Sequence, residues 1–195
     1  RQTGSFYTPR EIVQYMVDES LVAHLKRTVG NELESEYRKL LDYADNEILL
    51  TEQQKLAIMQ SLYNCKILDP ACGSGAFPVG VLQQMVHILK QIDPDNSRWK
   101  NMLLQFAIDE TSEAYLNSTA EERREAVADI ERAFDENVNY PDYARKLHLI
   151  ENCIYGVDIQ PIAIQISKLR FFISLVIDQK RNNNPADNFG IRPLP

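Results

Sequence analysis

The chain opens on a helical repeat. From Thr8 onward, Ile12, Tyr15, Met16 and Val22 are apolar at helical spacing, with Glu19 the interruption. Thr8 is placed to cap this helix, Pro9 to occupy its first position and Glu11 to close a capping box. Gly30-Asn31 breaks the pattern, and further helices are expected at about 32–44 and 51–63, the second capped by Thr51. The spacing then changes. Cys65 to Leu68 is a short apolar run with one Lys, the pattern of a buried strand. Asp69 to Gly75 is a turn, and Ala76 to Ile92 returns to helical spacing through Phe77, Val81, Met85, Ile88 and Leu89. DPDNS stops that helix. Helices are expected at 98–116 and 120–135, the latter so charged that it reads as a solvated face, and a third in YARKLHLIEN. CIYGVDI, Cys153 to Ile159, is a second strand ending in an acid. Pro161 opens a helix to about Asp178 that is apolar on most of its circumference, as suits a helix held against a sheet or between layers.

Strands alternating with helices imply an α/β domain with a parallel sheet. Residues 1–64 form a helical N-terminal region. Residues 65–195 carry the strands, with a helical insertion at about 98–150. Two strands make a marginal sheet, so the rest of the same polypeptide is expected to complete it. The start at RQTGSFYTP and the stop at IRPLP both read as cuts in something longer. At 195 residues, 44% hydrophobic and 25% charged, the chain has the size and composition of a soluble domain with its own core. A net charge of -7 shows no basic face at the level of composition, which argues against tight nucleic-acid binding by this chain alone. Three cysteines at uneven spacing suit neither a disulfide framework nor a metal site, so a reducing, cytoplasmic setting is expected. No run approaches membrane-spanning length, and the N-terminus does not read as a signal peptide.

The candidate chemistry sits in KILDPACGSGAFPVG, Lys66 to Gly80. In an open α/β sheet a turn at the C-terminal end of a strand is where ligands bind. Gly73 and Gly75 lack Cβ atoms, permitting positive φ and close approach of a ligand to the backbone. The ligand is not a nucleoside triphosphate, because no Lys-Ser or Lys-Thr follows Gly75. Asp69 at the strand end would repel a pyrophosphate and suits a cationic, hydroxylated ligand. S-adenosyl-L-methionine, with its ammonium, sulfonium and ribose hydroxyls, fits that requirement. A glycine turn that only reverses the chain is the competing reading. Asp158, at the end of the second strand, is placed to accept both hydroxyls of a ribose, or to cap the helix that begins at Pro161. Its distance from Asp69 far exceeds the roughly 20 residues of a simple strand–helix–strand unit, and the helical insertion accounts for the excess. Cys72 has no base partner in the sequence and reads as a small packing residue.

Three segments together resemble a known family. GSFYTPREIVQYMV, ILDPACGSGAFPVGVL and IYGVDIQPIAIQISKLRFFISLVID are similar to the cofactor motifs of N6-adenine-specific DNA methyltransferases. The similarity is to the N-terminal part of the catalytic domain in type IIG restriction–modification enzymes and related phage-defence methylases. It covers roughly a third of the chain. It implies a partial Rossmann-like fold that binds S-adenosyl-L-methionine. Phe6, Tyr7, Thr8 and Pro9 would border the methionine end and Asp69 the ammonium group. Ala71, Cys72, Gly73 and Gly75 would line the cofactor, with Phe77 supporting the loop. Asp158 would bind the ribose, and Ile159 would pack near the adenine. The family's catalytic Asn-Pro-Pro-aromatic tetrapeptide is not in this sequence. Asn184-Pro185-Ala186-Asp187 has only its first two residues and is not taken as a catalytic site. The resemblance thus implies a cofactor-binding portion, inert alone, of an enzyme that methylates adenine in double-stranded DNA contacted through other regions. A methyltransferase acting on RNA or a protein amide, or an inactive scaffold or specificity subunit, is the alternative.

Overall fold

A computed structural model describes residues 8–109 and 116–193. Helix α1 spans Arg10–Thr28, a short 3-10 turn covers Asn31–Leu33, and α2 (Glu34–Leu41) and α3 (Glu52–Tyr63) follow. Strand β1 is Ile67–Asp69, and α4 is Ala76–Ile92. Helices α5 (Ser97–Ile108), α6 (Ala120–Ala133) and α7 (Asp142–Asn152) lead to β2, Ile154–Gly156. Helix α8, Pro161–Val176, and a 3-10 segment at Pro185–Gly190 complete the order.

The two helix starts that carry cap signals behave differently. At α3 the Thr51 hydroxyl accepts from Gln54 N at 3.2 Å, and the Gln54 side chain accepts from Thr51 N at 2.8 Å, a complete capping box. At α1 the expected box does not form. Pro9 takes φ -55 and ψ 146, so it stands outside the helix as the cap residue with no side-chain cap bond. Its carbonyl accepts from Ile12 N and Val13 N, both at 3.1 Å. Helical geometry therefore begins one residue later than expected, at Arg10, and Thr8 falls too far back to cap it.

Both strands start later than the apolar runs suggest, because neighbouring helices claim their first residues, and β2 also ends at Gly156, short of the expected Ile159. Cys65 N still donates to Leu62 O at 3.2 Å, closing the last turn of α3. Cys153 N donates to Leu149 O at 3.0 Å, closing α7. The remainder pairs in parallel, Ile67 with Ile154 and Asp69 with Gly156. Helix α5 likewise ends at Ile108, short of the expected 116; residues 110–115 lie outside the described residues.

One apolar cluster runs through α1, α2, α3, α4, α5 and α7. Leu25, Tyr37, Ile58, Leu62, Met85 and Ile88 are fully excluded from solvent in it. Gly80 lets α1 approach α4: a Cβ there would stand 3.3 Å from the Val17 side chain. Gln84, buried among these helices, donates through Nε2 to Asp18 at 2.7 Å and to the Leu41 carbonyl at 3.1 Å, tying α4 to α1 and α2. The turn into α5 is held by Asp93, whose carboxylate accepts from Trp99 N at 2.9 Å and Arg98 N at 3.3 Å. Arg145, also buried, donates to Asp93 O and to Asp142, each at 2.7 Å. Charged α6 buries only Ala133, as a solvated face should.

Helix α8 departs from expectation. Its composition calls for packing on most sides, yet Ile162, Ile166, Leu169 and Ile173 form an exposed row continued by Ile177. The parallel pair shows the same openness at Leu68, Tyr155 and Val157. Among the described residues the sheet has two strands only. No helix of the described residues is long and apolar enough to cross a membrane.

Candidate functional site

Parallel pairing sets the two strand ends side by side, and the chain beyond them stays stitched together. Val157 N donates to Asp69 O at 2.9 Å, and Cys72 N donates to Val157 O at 3.0 Å. The 70–75 turn is thereby drawn over the end of β2. Asp69 shapes its first half by accepting from Ala71 N at 3.1 Å. Asp158 shapes the second: one carboxylate oxygen accepts from Gly73 N at 3.0 Å and the other from Gln160 N at 2.7 Å. Asp158 thus clasps the glycine turn to the start of α8. Both oxygens retain a lone pair, so a ligand diol can still be accepted there.

The two glycines of the turn do different things. Gly73, at φ +53, faces open space: a Cβ built on it meets nothing within 4 Å. A ligand can approach the backbone here. Gly75, at φ +86, is approached by the protein itself, since its Cβ would stand 3.1 Å from the Cβ of Ser167 on α8 and closer still to the Ser167 hydroxyl. The Cβ side of Gly75 is therefore taken by α8. A third glycine, Gly156, makes room for Cys72, whose sulfur lies 2.9 Å from where a Gly156 Cβ would be. Cys72 is buried, and its thiol is pushed up, first by burial and then by the charges of Asp69 and Asp158. A thiol held protonated in this way is a packing group beside the site and a poor nucleophile.

The structure therefore gathers Asp69, Ala71, Cys72, Gly73, Gly75 and Asp158 at the joined strand ends. Phe77 points back into the main apolar cluster from the first turn of α4. Ile159 lies just beyond, 96% exposed, with no protein group covering it. Thr8 and Pro9 are exposed at the start of α1, whose body packs along α4. Phe6 and Tyr7 lie outside the described residues. Two residues with a part in the site were not singled out from the sequence, Ser167 and Gly156. Each had a signal: Ser167 is a small polar residue within an apolar helix run, and Gly156 falls directly before the acidic strand end.

Chemically, this end of the strands offers two carboxylates, a backbone free of side chains at Gly73 and the N-terminal end of a 17-residue helix. Among the described residues neither carboxylate forms an ion pair. That donor set suits an ammonium and a ribose diol, and it lacks the cationic side chain a phosphate would call for. Two clefts, one of about 460 Å³ beside α1 and α2 and one of about 760 Å³ among α5, α6 and α7, contain none of these residues. Asn184, by contrast, is used locally: its side chain accepts from Ala186 N at 3.1 Å, a tight turn that opens the last 3-10 segment.

The chain is 26% identical over 185 residues to the curated protein "Putative type II restriction enzyme and methyltransferase RM.MjaORFECS2P" of Methanocaldococcus jannaschii. The match covers 89% of this chain and 12% of that relative, so the chain corresponds to about an eighth of the relative's length. No family model matches, and no solved structure matches.

Proposed function

We propose that this chain is the S-adenosyl-L-methionine-binding portion of an adenine-N6 DNA methyltransferase of a restriction–modification or phage-defence system. The observation that carries the proposal is the convergence of Asp69, Gly73 and Asp158 at the ends of two parallel strands, with open space over Gly73. In this reading Asp69 holds the ammonium group and Asp158 the ribose hydroxyls. The Gly73 backbone gives the cofactor a surface without side chains. The cofactor supplies an activated methyl group; the protein's part is to orient it, and positioning of this kind supplies much of the rate. The acceptor adenine, taken out of the DNA stack, is held by residues outside these 195. So are the contacts to DNA, consistent with the acidic charge of the chain. The exposed row of α8 and the open strand edges are, in this reading, where further strands of the same polypeptide complete a Rossmann-like sheet.

Calorimetric titration with S-adenosyl-L-methionine or S-adenosylhomocysteine tests the proposal. Saturable binding by the folded chain is expected, lost in Asp158→Ala. A folded sample that binds neither compound would overturn the assignment for this chain. Methyl transfer to adenine by a polypeptide containing this chain and the missing strands tests the acceptor, and transfer to RNA or to a protein amide instead would refute the DNA reading.

A further inference from the structure

The glycine turn meets α8 at Gly75 and Ser167. A Cβ on Gly75 would stand 3.4 Å from the Ser167 backbone and 3.1 Å from its Cβ. Gly75 is buried, takes the left-handed φ of +86 and is the residue from which α4 starts. Ser167 is one of two buried residues of α8, and among the described residues its hydroxyl makes no hydrogen bond. The contact is therefore one of shape. On its other side the turn is fixed by the bond from Gly73 to Asp158, and Asp158 belongs to the segment that leads into α8. The turn is consequently gripped twice by one stretch of chain: at Gly73 by a hydrogen bond and at Gly75 by packing.

We infer that Ser167 is the positioning residue for the glycine turn, and that its small size sets how far Gly73 stands from Asp158. A serine or alanine at 167 lets the Gly75 backbone seat against α8. A side chain branched at Cβ pushes Gly75 away, stretches the bond from Gly73 to Asp158 and lifts Cys72 off Gly156. The inference rests on the cofactor reading for its effect on binding, but its geometric content does not.

The test compares the parent chain with Ser167→Ala and Ser167→Val in two measurements. The first is affinity for S-adenosylhomocysteine by calorimetry. The second is the rate at which a maleimide modifies Cys72, located by mass spectrometry; Cys65 and Cys153 are buried in the main cluster and serve as internal controls. Ser167→Ala is expected to match the parent in both. Ser167→Val is expected to bind about tenfold or more weakly and to expose Cys72 to faster modification, with Cys65 and Cys153 still protected. If Ser167→Val does not fold, Ser167→Thr, which keeps the hydroxyl and adds one methyl, makes the same comparison. A folded branched variant with parental affinity and parental Cys72 reactivity would overturn the inference. If the parent itself does not bind the compound, the cofactor assignment fails and Cys72 reactivity alone decides the role of Ser167.

Discussion

Helices α4 and α8 follow the two strands, have 17 and 16 residues, and are both mostly apolar, yet α4 buries nine residues and α8 two. Their sequences alone do not explain the gap. Helix α4 is enclosed by α1, α2, α3 and α7, so every apolar face finds a partner. Helix α8 touches α7 and the start of α4, and its row from Ile162 to Ile173 touches nothing of comparable extent. An apolar circumference thus states a demand for partners; which partners are supplied depends on the rest of the chain. On one side of the glycine turn the demand is met on all faces, and on the other it is met along one face only, at Phe171 and Leu175.

The largest effects should therefore fall on the closed side. Met85→Ala, at a fully buried position of α4, is expected to cost about 2–5 kcal/mol by urea unfolding. Ile166→Ala, on the open row of α8, should cost under about 1 kcal/mol in the same chain. Equal costs would mean that the row is buried in solution, and the contrast between the helices would collapse.

Acid should also act first on the closed side. His148, on α7, stacks on Tyr63 with ring centroids 4.3 Å apart, and burial lowers its pKa from 6.5 to about 4. Its Nε2 faces the Tyr63 carbonyl at 3.3 Å and its Nδ1 faces the Asn152 amide nitrogen at 3.4 Å, an arrangement that suits the neutral ring. The unfolded chain takes up a proton below about 6.5 that the folded chain refuses until about 4. The stability tied to this group is thus fully present above about 6.5 and is lost as pH falls through that window, up to about 3 kcal/mol in all. Unfolding curves for the parent and His148→Phe between pH 7 and pH 4 should diverge in slope; parallel curves would remove His148 as the cause.

The same contrast governs what could be read from the sequence. Helix α4 was legible to the residue, because Gly75 ends one pattern and Ala76 begins another, whereas the turn before it starts one residue later than read, Asp69 being the last residue of β1. The capping box at Thr51 was legible because its partners are three residues apart and nothing else competes for them. The box at Thr8 failed for a local reason, the extended ψ of Pro9. Strand ends were misplaced because Cys65 and Cys153 are apolar enough for a strand but are held by the carbonyls of α3 and α7. Within the site, Asp69 and Asp158 announce themselves as acids at strand ends. That Asp158 reaches the Gly73 amide, and that Ser167 takes the Cβ side of Gly75, depends on contacts between residues distant in sequence, which no local pattern encodes.

The two glycines of the turn give the sharpest version of the comparison, at the smallest scale. Gly75→Ala should cost about 2 kcal/mol or more, because a left-handed φ opposes any Cβ and Ser167 already occupies its place. Gly73→Ala meets only the first of these penalties, since its Cβ would project into open space, and should cost about 1 kcal/mol. For ligand binding the order should reverse relative to stability. Under the proposed function the new methyl group at Gly73 enters the space the cofactor would take, so affinity for S-adenosylhomocysteine should fall far more than the modest loss of stability would suggest. Thermal unfolding measured with and without that compound separates the two quantities. Gly73→Ala should retain a melting temperature near the parent's and lose the ligand-induced rise. A Gly73→Ala chain that keeps the rise would show that nothing binds over the open glycine.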